Sequence, residues 1–288
     1  MKMVERIFSK EIKIPKNLTL VGLLHDPEGR LGKVTRQVLP FAVENFSEVV
    51  IHATRTTDQT FLSSLESLAG SNFLSNLEDP CGQIYLAVTE PAVGSNYRTA
   101  LRVGLASRGS HLLVIDWDRL CYWATNYPGE LALAARRILK NEFVMFARTD
   151  RAFRSHPKFQ RETENQINQL ARQITGIAEL DILSGAYGMS KVTASCVLAN
   201  SKSDNFGIWA ELFMLPYLLY GKEGVTIFAV DGLAYEERLK YPELERREFL
   251  QRLSQNKADY NKRQVYVNQI TGRLKQLAKS QEQNANCN

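Results

Sequence analysis

The sequence predicts an α/β protein whose central sheet is mostly parallel and is flanked by helices. Two observations on the first half of the chain indicate this class: short apolar runs alternate with segments of helical periodicity, and these runs end at polar loops. The third is size, because 288 residues of which 44% are hydrophobic can bury the core of one large domain. Strands that alternate with helices form βαβ units, and such units build parallel sheets covered on both faces.

The elements of the first half follow one another at short intervals. The predicted strands are apolar and are residues 18–24, 48–53, 84–88 and 112–115. The segments between them have apolar residues at helical spacing and are residues 34–45, 59–70 and 99–107. Ligands of such sheets bind at the carboxyl ends of the strands. We therefore expect the loops that follow the strands, at 25–30, 53–58, 89–98 and 116–119, to lie along one edge.

The second half has a different character. Residues 159–174 form a polar helix, residues 181–198 mix glycine turns with a strand and a helix, and residues 207–224 form an apolar helix interrupted by Pro216. Residues 225–232 predict one more strand. From residue 241 the chain is helical and charged, with a stripe of apolar residues, and the polar segment 280–288 is predicted to be a disordered tail. The predicted boundaries are thus a main domain 1–238, a helical extension 239–279 and this tail.

Composition limits the classes of partner. The net charge is +5, and the basic residues are scattered rather than gathered into a tract, so we expect an anionic small ligand and no nucleic acid. The four cysteines, Cys81, Cys121, Cys196 and Cys287, are far apart and predict neither a zinc site nor a disulfide framework. A reducing, cytoplasmic location is expected, because the sequence has no secretory signal and no apolar stretch long enough to span a membrane.

Two carboxylates directly follow the fourth predicted strand, in "VIDWDR", residues 114–119. Asp116 and Asp118 offer the hard oxygen ligands that Mg²⁺ or Mn²⁺ prefers, with phosphate oxygens completing the coordination shell. The alternative is structural, because carboxylates also end strands by accepting hydrogen bonds from the backbone of the next helix.

Four segments together resemble nucleotide-sugar glycosyltransferases of the Rossmann-like GT-A fold, in particular the small enzymes related to mannosylglycerate synthase. "NYRTALRVGLASRGSHLLVIDWDR" (96–119) is similar to their helix, strand and Asp-x-Asp motif, and "VVIHATRTTDQT" (49–60) to their second strand and turn. "DILSGAYGMSK" (181–191) resembles their acceptor-side segment, and "SDNFGIWAEL" (203–212) the helix start beneath the acceptor site. The resemblance covers about residues 18–238, with a nucleotide-binding half at 18–120 and an acceptor half at 121–238.

The resemblance implies a role for each candidate site residue. Asp118 becomes the ligand of Mn²⁺ or Mg²⁺ and a catalytic residue, and Glu211 the carboxylate near the acceptor hydroxyl, a general base if the enzyme inverts. The alternative for Glu211 is an acid of the first helical turn, favoured by the helix dipole. The implied nucleotide-binding residues are Leu24, His25, Asp26, Arg55, Arg98 and Asp116, with Arg98 facing the diphosphate; Gly185 and Trp209 are the implied acceptor-binding residues.

The chain departs from the family pattern at two places. Many members end the second strand in an acidic pair that holds uracil, whereas this chain has Ala53, Thr54 and Arg55, so the base of the donor stays open. Many members also have a metal-binding histidine after the last strand. No histidine follows His156 here, which leaves Asp231, Glu236, Glu237, water or no ligand at all in that place.

The resulting hypothesis is a metal-dependent glycosyltransferase that moves a sugar from a nucleoside diphosphate donor to a hydroxyl acceptor. A sugar-phosphate nucleotidyltransferase is one alternative, although "HDPEGRLGK" (25–33) matches its glycine-rich loop poorly. A non-catalytic nucleotide-binding or assembly protein is another. The basic C-terminal helix is predicted either to contact an anionic membrane or a second subunit, or to pack on its own domain with a solvated basic face.

Overall fold

The computed structural model of the chain describes residues 14–69, 84–235 and 257–286. The elements of the first half are β1 (Leu18–Leu24), α1 (Gly32–Asn45), β2 (Glu48–Thr54), α2 (Gln59–Ala69), β3 (Ile84–Thr89), α3 (Val93–Ala106) and β4 (His111–Asp116). All seven were predicted from the sequence, with ends that differ by one or two residues except at α3.

The second half contains more helix. Its elements are α4 (Trp117–Asn126), α5 (Pro128–Ile138), β5 (Phe143–Arg148), α6 (Asp150–Arg154), α7 (Lys158–Thr175), β6 (Ala186–Ser190), α8 (Lys191–Asn200), α9 (Ile208–Tyr220), β7 (Thr226–Val230) and α10 (Lys257–Asn286). The polar helix, the apolar helix with Pro216 inside it and the last strand are at their predicted places. The strand β5 is not among the predicted elements.

Within the described residues the strands form one seven-stranded sheet in the order β3-β2-β1-β4-β6-β5-β7. The pairs among β1, β2, β3 and β4 are parallel, as is β5 with β7, and β6 runs antiparallel to both of its neighbours. The prediction of a mostly parallel sheet is thus confirmed. Because β1 to β4 are parallel, their carboxyl ends meet at one edge, where the sequence placed the ligand loops.

Side chains that alternate along each strand enter two separate cores. Leu20, Leu113 and Ile115 point into one core with α1, α4 and α5, whereas Val21 and Val114 point into the other. Burial of both faces explains why these strands are almost continuously apolar.

The helix α3 begins six residues before its predicted start. The sequence "VGSNYR" contains glycine, serine and asparagine, which are typical of a loop. Gly94 has a packing reason instead, because a Cβ atom there would lie 1.8 Å from the backbone oxygen of Ser203. The Gly94 amide donates to the Asp204 carbonyl oxygen at 3.1 Å, so the absent side chain lets the helix approach the 201–206 loop.

The C-terminal helix packs on its own domain. In α10 the stripe of Val267, Ile270, Leu274 and Leu277 is buried, and the helix lies against α7 and α9. Within the described residues α10 continues to Asn286, beyond residue 280 where the sequence predicts that a disordered tail begins. Glutamine, glutamate and alanine are adequate helix formers, and adding residues to an existing helix requires no new nucleus.

Part of the sequence-based prediction falls outside the described residues. Glu236 and Glu237, two candidates for the missing metal ligand, lie there together with Cys81 and Cys287. In the part of the chain that the structure describes, no helix is long and apolar enough to cross a membrane.

Candidate active site

A cavity of about 620 Å³ lies at the carboxyl edge of β1 to β4. This volume is within the range of roughly 300 to 1,000 Å³ that ligand sites occupy. The residues that line it come from the ends of these strands, from α3 and the start of α4, and from α9 and α10; they are Leu23, Leu24, His25, Leu31, His52, Thr54, Pro91, Val93, Asn96, Tyr97, Asp116, Asp118, Phe206, Trp209, Lys262 and Tyr266.

Both carboxylates of the "DWD" sequence reach this cavity. Asp116 is the last residue of β4 and Asp118 lies in the first turn of α4, while Trp117 between them is fully buried. The Trp117 indole N–H donates to the Thr35 hydroxyl at 2.9 Å. A Cβ atom on Gly22 would lie 2.3 Å from the Trp117 ring, so glycine there makes room for this anchor. The buried tryptophan thereby fixes the turn that presents the two acids.

The carboxylate of Asp116 is held by its neighbours. The Tyr97 hydroxyl donates to Asp116 Oδ1 at 2.8 Å, and the Trp209 indole N–H donates to the Tyr97 hydroxyl oxygen at 3.1 Å. Burial, and next the negative charge of Asp116, raise the pKa of Tyr97 well above its ordinary value. Tyr97 therefore stays protonated and remains a donor to Asp116 at neutral pH.

Gly185, directly before β6, lies against the same carboxylate. Its φ is +73°, and a Cβ atom would lie 2.6 Å from Asp116 Oδ2 and 2.9 Å from Arg119 Nε. The Asp116 amide donates to the Gly185 carbonyl oxygen at 3.2 Å, and the Arg119 guanidinium donates to the Ser184 carbonyl oxygen. Glycine is thus required here by both conformation and space.

His25, His52 and Thr54 line the end of the cavity beside β2. His25 Nδ1 is 2.8 Å from the Thr54 hydroxyl, and His52 Nε2 is 3.1 Å from the Thr89 hydroxyl. Burial lowers the pKa of His52 to about 4, so this ring is neutral at pH 7. His52 Nδ1 is buried and has no hydrogen-bond partner among the described residues. Histidine and threonine side chains thus lie at the end of the second strand, where many members of the family that the sequence resembles have an acidic pair.

Three of the residues assigned to nucleotide binding do not line the cavity. Asp26 is buried and accepts from the Leu31 amide at 2.7 Å, which secures the start of α1. Arg55 is exposed and pairs with Glu90 at 3.0 Å. Arg98 donates to the Ser203 carbonyl oxygen and pairs with Asp204, so it holds the 201–206 loop. Leu24, His25 and Asp116 do line it, together with Asp118 and Trp209.

Glu211 differs most from its predicted role. Its side chain is fully buried and does not line the cavity. It accepts hydrogen bonds from the hydroxyls of Ser201 and Ser203 and the amides of Lys202 and Ser203, and it pairs with Arg273 Nε at 2.6 Å. Burial by itself raises the pKa of Glu211, but these hydrogen bonds outweigh it and lower the pKa below its ordinary value. A buried, ionised carboxylate with these partners is typical of a structural role, here that of holding residues 201–203 and Arg273 together.

The carboxylates of the cavity fit a divalent cation. Two carboxylates on the wall match the usual Mg²⁺ or Mn²⁺ site, in which one or two acids and the substrate phosphates supply the ligands. One oxygen of each acid already accepts a hydrogen bond, Asp116 Oδ1 from the Tyr97 hydroxyl and Asp118 Oδ1 from the Arg119 amide, both at 2.8 Å. Among residues 14–69, 84–235 and 257–286 no cluster of three or more histidine, cysteine or acidic residues accompanies them. Asp231, one candidate for a further ligand, pairs with Arg151 at 2.8 Å outside the cavity wall.

Sequence analysis missed His52, Thr54, Asn96 and Tyr97, and also the residues of α10. One signal was present, since a histidine inside the otherwise apolar run "EVVIHAT" is unusual for a buried strand. Tyr97 lies one residue before Arg98, in a segment that was treated as a loop, and no local pattern marks it.

Solved structures of glucosyl-3-phosphoglycerate synthase from Mycobacterium tuberculosis are similar to this chain in fold. One is 14% identical to this chain with a TM-score of 0.51, and the match covers 96% of this chain and 84% of that chain. A second, with UDP bound, is 13% identical with a TM-score of 0.51 and covers 94% and 84%. A third, with Mn²⁺, UDP and phosphoglyceric acid, is 12% identical with a TM-score of 0.50 and covers 94% and 82%.

No protein-family model and no curated protein matches the chain. At these identities the structural likeness establishes the fold, and the GT-A fold implied by residues 96–119 and 181–191 is confirmed. The chain thus combines this fold with a cavity at the carboxyl edge of β1 to β4 whose wall carries two carboxylates.

Proposed function

We propose that the protein is a metal-dependent glycosyltransferase that moves a sugar from a nucleoside diphosphate donor to a hydroxyl group. The observation that supports this most directly is the joint presence of Asp116 and Asp118 on the wall of a cavity at the carboxyl edge of β1 to β4. The proteins that share the fold add support, since one of their structures holds Mn²⁺ together with UDP and phosphoglyceric acid.

In this proposal Asp118 holds Mn²⁺ or Mg²⁺ together with the donor diphosphate. A cation bound there offsets the charge that develops on the leaving diphosphate. Asp116 accepts from a ribose hydroxyl with the oxygen that Tyr97 does not use, and Tyr97 and Trp209 keep its carboxylate in place. His25, His52 and Thr54 contact the base through polar atoms, a pattern that leaves the identity of the base open.

The acceptor would enter beside Trp209, which lines the cavity, and Gly185, which lies against Asp116. Donor binding is assigned to residues 18–120 and acceptor binding to residues 121–238, within the main domain. Glu211 is assigned no proton transfer, because its carboxylate is fully buried and saturated with hydrogen bonds. Its proposed role is to position the 201–206 loop and α10.

The same observation about Glu211 favours a second candidate, a nucleotide-binding protein without catalysis. Among the described residues, Asp116 and Asp118 are the acids that line the cavity, and neither is in the position predicted for a general base. An assay of donor hydrolysis and transfer separates the candidates: binding of a nucleoside diphosphate sugar without any turnover would favour the second. Release of pyrophosphate would instead indicate nucleotidyl transfer.

The test of the main proposal is calorimetric titration of UDP and GDP with and without Mn²⁺. We expect binding of one nucleotide to require the metal, and the Asp118→Ala variant to lose this metal dependence while keeping its melting temperature. Asp150→Ala is the matched control, because that exposed acid lies outside the cavity. Metal-dependent binding and turnover retained by Asp118→Ala would overturn the proposal.

A further inference from the structure

The C-terminal helix α10 supplies part of the cavity wall. Lys262 and Tyr266 both line the cavity, and their spacing of four residues places them on one face of the helix. The Tyr266 ring lies 3.6 Å from the Phe206 ring, and the Phe206 ring lies 5.1 Å from that of Trp209, measured between centroids. An aromatic wall thus continues from α9 onto α10, where Lys262 follows.

Several contacts hold this face of α10 in place. Val267, Ile270 and Leu274 are buried in the core that α7 and α9 share. Arg273 pairs with the fully buried Glu211 at 2.6 Å, and Gln269 Oε1 accepts from the Phe206 amide at 3.3 Å. These contacts fix the helix over residues 267–274, and Lys262 lies between one and two turns before this segment.

A diphosphate in the cavity would need positive charge beyond Arg119, which already lies 3.4 Å from Asp116. The cavity wall contains Asp116 and Asp118, and a nucleoside diphosphate would bring further negative charge between them. Arg98, which the resemblance placed at the diphosphate, and Arg55, which it assigned to nucleotide binding, are both paired outside the cavity. Among the described residues that line the cavity, Lys262 is the only lysine or arginine. Lys262 is exposed.

We propose that Lys262 binds the diphosphate of the donor, so that α10 completes the donor site. The inference rests on the proposed function and deepens it. The ammonium group would share with the metal the neutralisation of the leaving diphosphate, and it would contact phosphate oxygens as a compact point charge. A hydrogen bond to a charged group contributes about 1.5 to 3 kcal/mol, which corresponds to roughly 10-fold to 100-fold in affinity.

The experiment compares Lys262→Gln, Lys262→Arg and Lys275→Gln with the wild type. Lys275→Gln is the matched control, because it removes the same charge from an exposed position of α10 that does not line the cavity. Titrations use UDP, GDP, uridine and guanosine at fixed Mn²⁺, together with measurement of kcat and KM for the matching donor.

We expect Lys262→Gln to bind the diphosphate at least 10-fold more weakly and the nucleoside as tightly as the wild type does. Lys262→Arg should recover part of the loss, and Lys275→Gln should bind like the wild type. If the wild type binds UDP or GDP and Lys262→Gln binds it equally tightly, the inference is overturned and the proposed function stands. If the wild type binds neither nucleotide, both are overturned.

Discussion

The carboxylate of Asp116 is positioned by residues from four different segments of the chain. Tyr97 donates to it at 2.8 Å, Arg119 Nε lies 3.4 Å from it, and Gly185 leaves the space beside it empty of side chain. Trp209 adds a hydrogen bond to Tyr97. Preorganisation of this kind reduces the cost of ordering the carboxylate when a ligand binds.

Gly185→Ala tests this positioning directly. The added methyl group would meet Asp116 Oδ2 at 2.6 Å, and alanine is strained at a φ of +73°. We expect a loss of stability of about 1 to 2 kcal/mol from the backbone strain. We also expect metal-dependent nucleotide binding to weaken at least 10-fold, because Asp116 must move. Urea unfolding and calorimetric titration of the same preparation measure the two effects.

Gly176→Ala is the control for the strain. Gly176 has a φ of +67° at the end of α7, but a Cβ atom there would have no neighbour within 4 Å. It should lose similar stability and bind the nucleotide normally. Equal loss of binding in both variants would show that strain alone is responsible and would contradict the role given to Gly185.

At the residue scale, the sequence predicts well which strand ends form the site. It predicts less well which side chains line the cavity. Asp116, Asp118, His25 and Trp209 reach the cavity as expected. Glu211 does not reach the cavity, because a residue two positions after Trp209 on the same helix lies on a different face of that helix. Arg98 follows the same rule, since it is adjacent to Tyr97 on α3 and therefore points elsewhere.

The 201–206 loop and α10 are joined through Glu211. Four hydrogen-bond donors of residues 201–203 and the guanidinium of Arg273 converge on its carboxylate. The same loop carries Phe206, which stacks on Tyr266 of α10. One buried acid therefore connects two walls of the cavity, although its own oxygens do not reach it.

Glu211→Gln separates an anchor from a general base. Removal of one partner from a buried ion pair typically costs about 3 to 5 kcal/mol, so a clear drop in the free energy of unfolding is expected. Arg273→Met should cause a similar drop, and the double variant should lose less than the sum. A double-mutant cycle by urea unfolding measures this coupling. An unchanged stability with abolished turnover would instead identify Glu211 as a catalytic base.

At the scale of elements, periodicity predicts those helices and strands whose ends and type do not depend on tertiary contacts. The strands β1 to β4 were predicted because both faces are buried and the runs are apolar. The strand β5 is equally buried but was not predicted, since a short apolar run does not by itself distinguish a strand from a buried helix. The early start of α3 depends on the approach of Gly94 to Ser203, which no local pattern reports.

The whole molecule contains two buried histidines that burial keeps neutral. Burial lowers the pKa of His52 to about 4. Burial, and next the positive charges of Arg148 and Arg119, lower the pKa of His156 to about 2. The unfolded chain takes up a proton at each histidine near pH 6.5, whereas the folded chain does not. The unfolded state thus binds more protons as the pH falls.

We therefore expect the free energy of unfolding to decrease as the pH falls from 7.5 to 5. Each of the two histidines adds a slope of up to about 1.4 kcal/mol per pH unit once the pH is below 6.5. The pKa values of Asp181 and Glu211 are also lowered, but these carboxylates affect the free energy of unfolding at more acidic pH. The range from pH 7.5 to 5 therefore reports mainly on the histidines. Urea unfolding at several pH values measures the slope.

His52→Gln is the informative variant for this pH dependence. Glutamine cannot ionise, so the free energy of unfolding of this variant should vary less steeply below pH 6.5, by the contribution of one proton. A change in packing would shift the free energy of unfolding by the same amount at every pH and would leave its slope against pH unchanged. A slope identical to that of the wild type would contradict the assignment of a depressed pKa to His52.

The central claim is that Asp118 holds a divalent cation against a nucleoside diphosphate in the cavity at the carboxyl edge of β1 to β4. Calorimetric titration of UDP and GDP into the wild type and Asp118→Ala, each with and without Mn²⁺, tests it most directly. We expect one nucleotide to bind the wild type only with Mn²⁺, and its binding to the variant to be unaffected by the metal. Metal-dependent binding of equal strength in both proteins would contradict it.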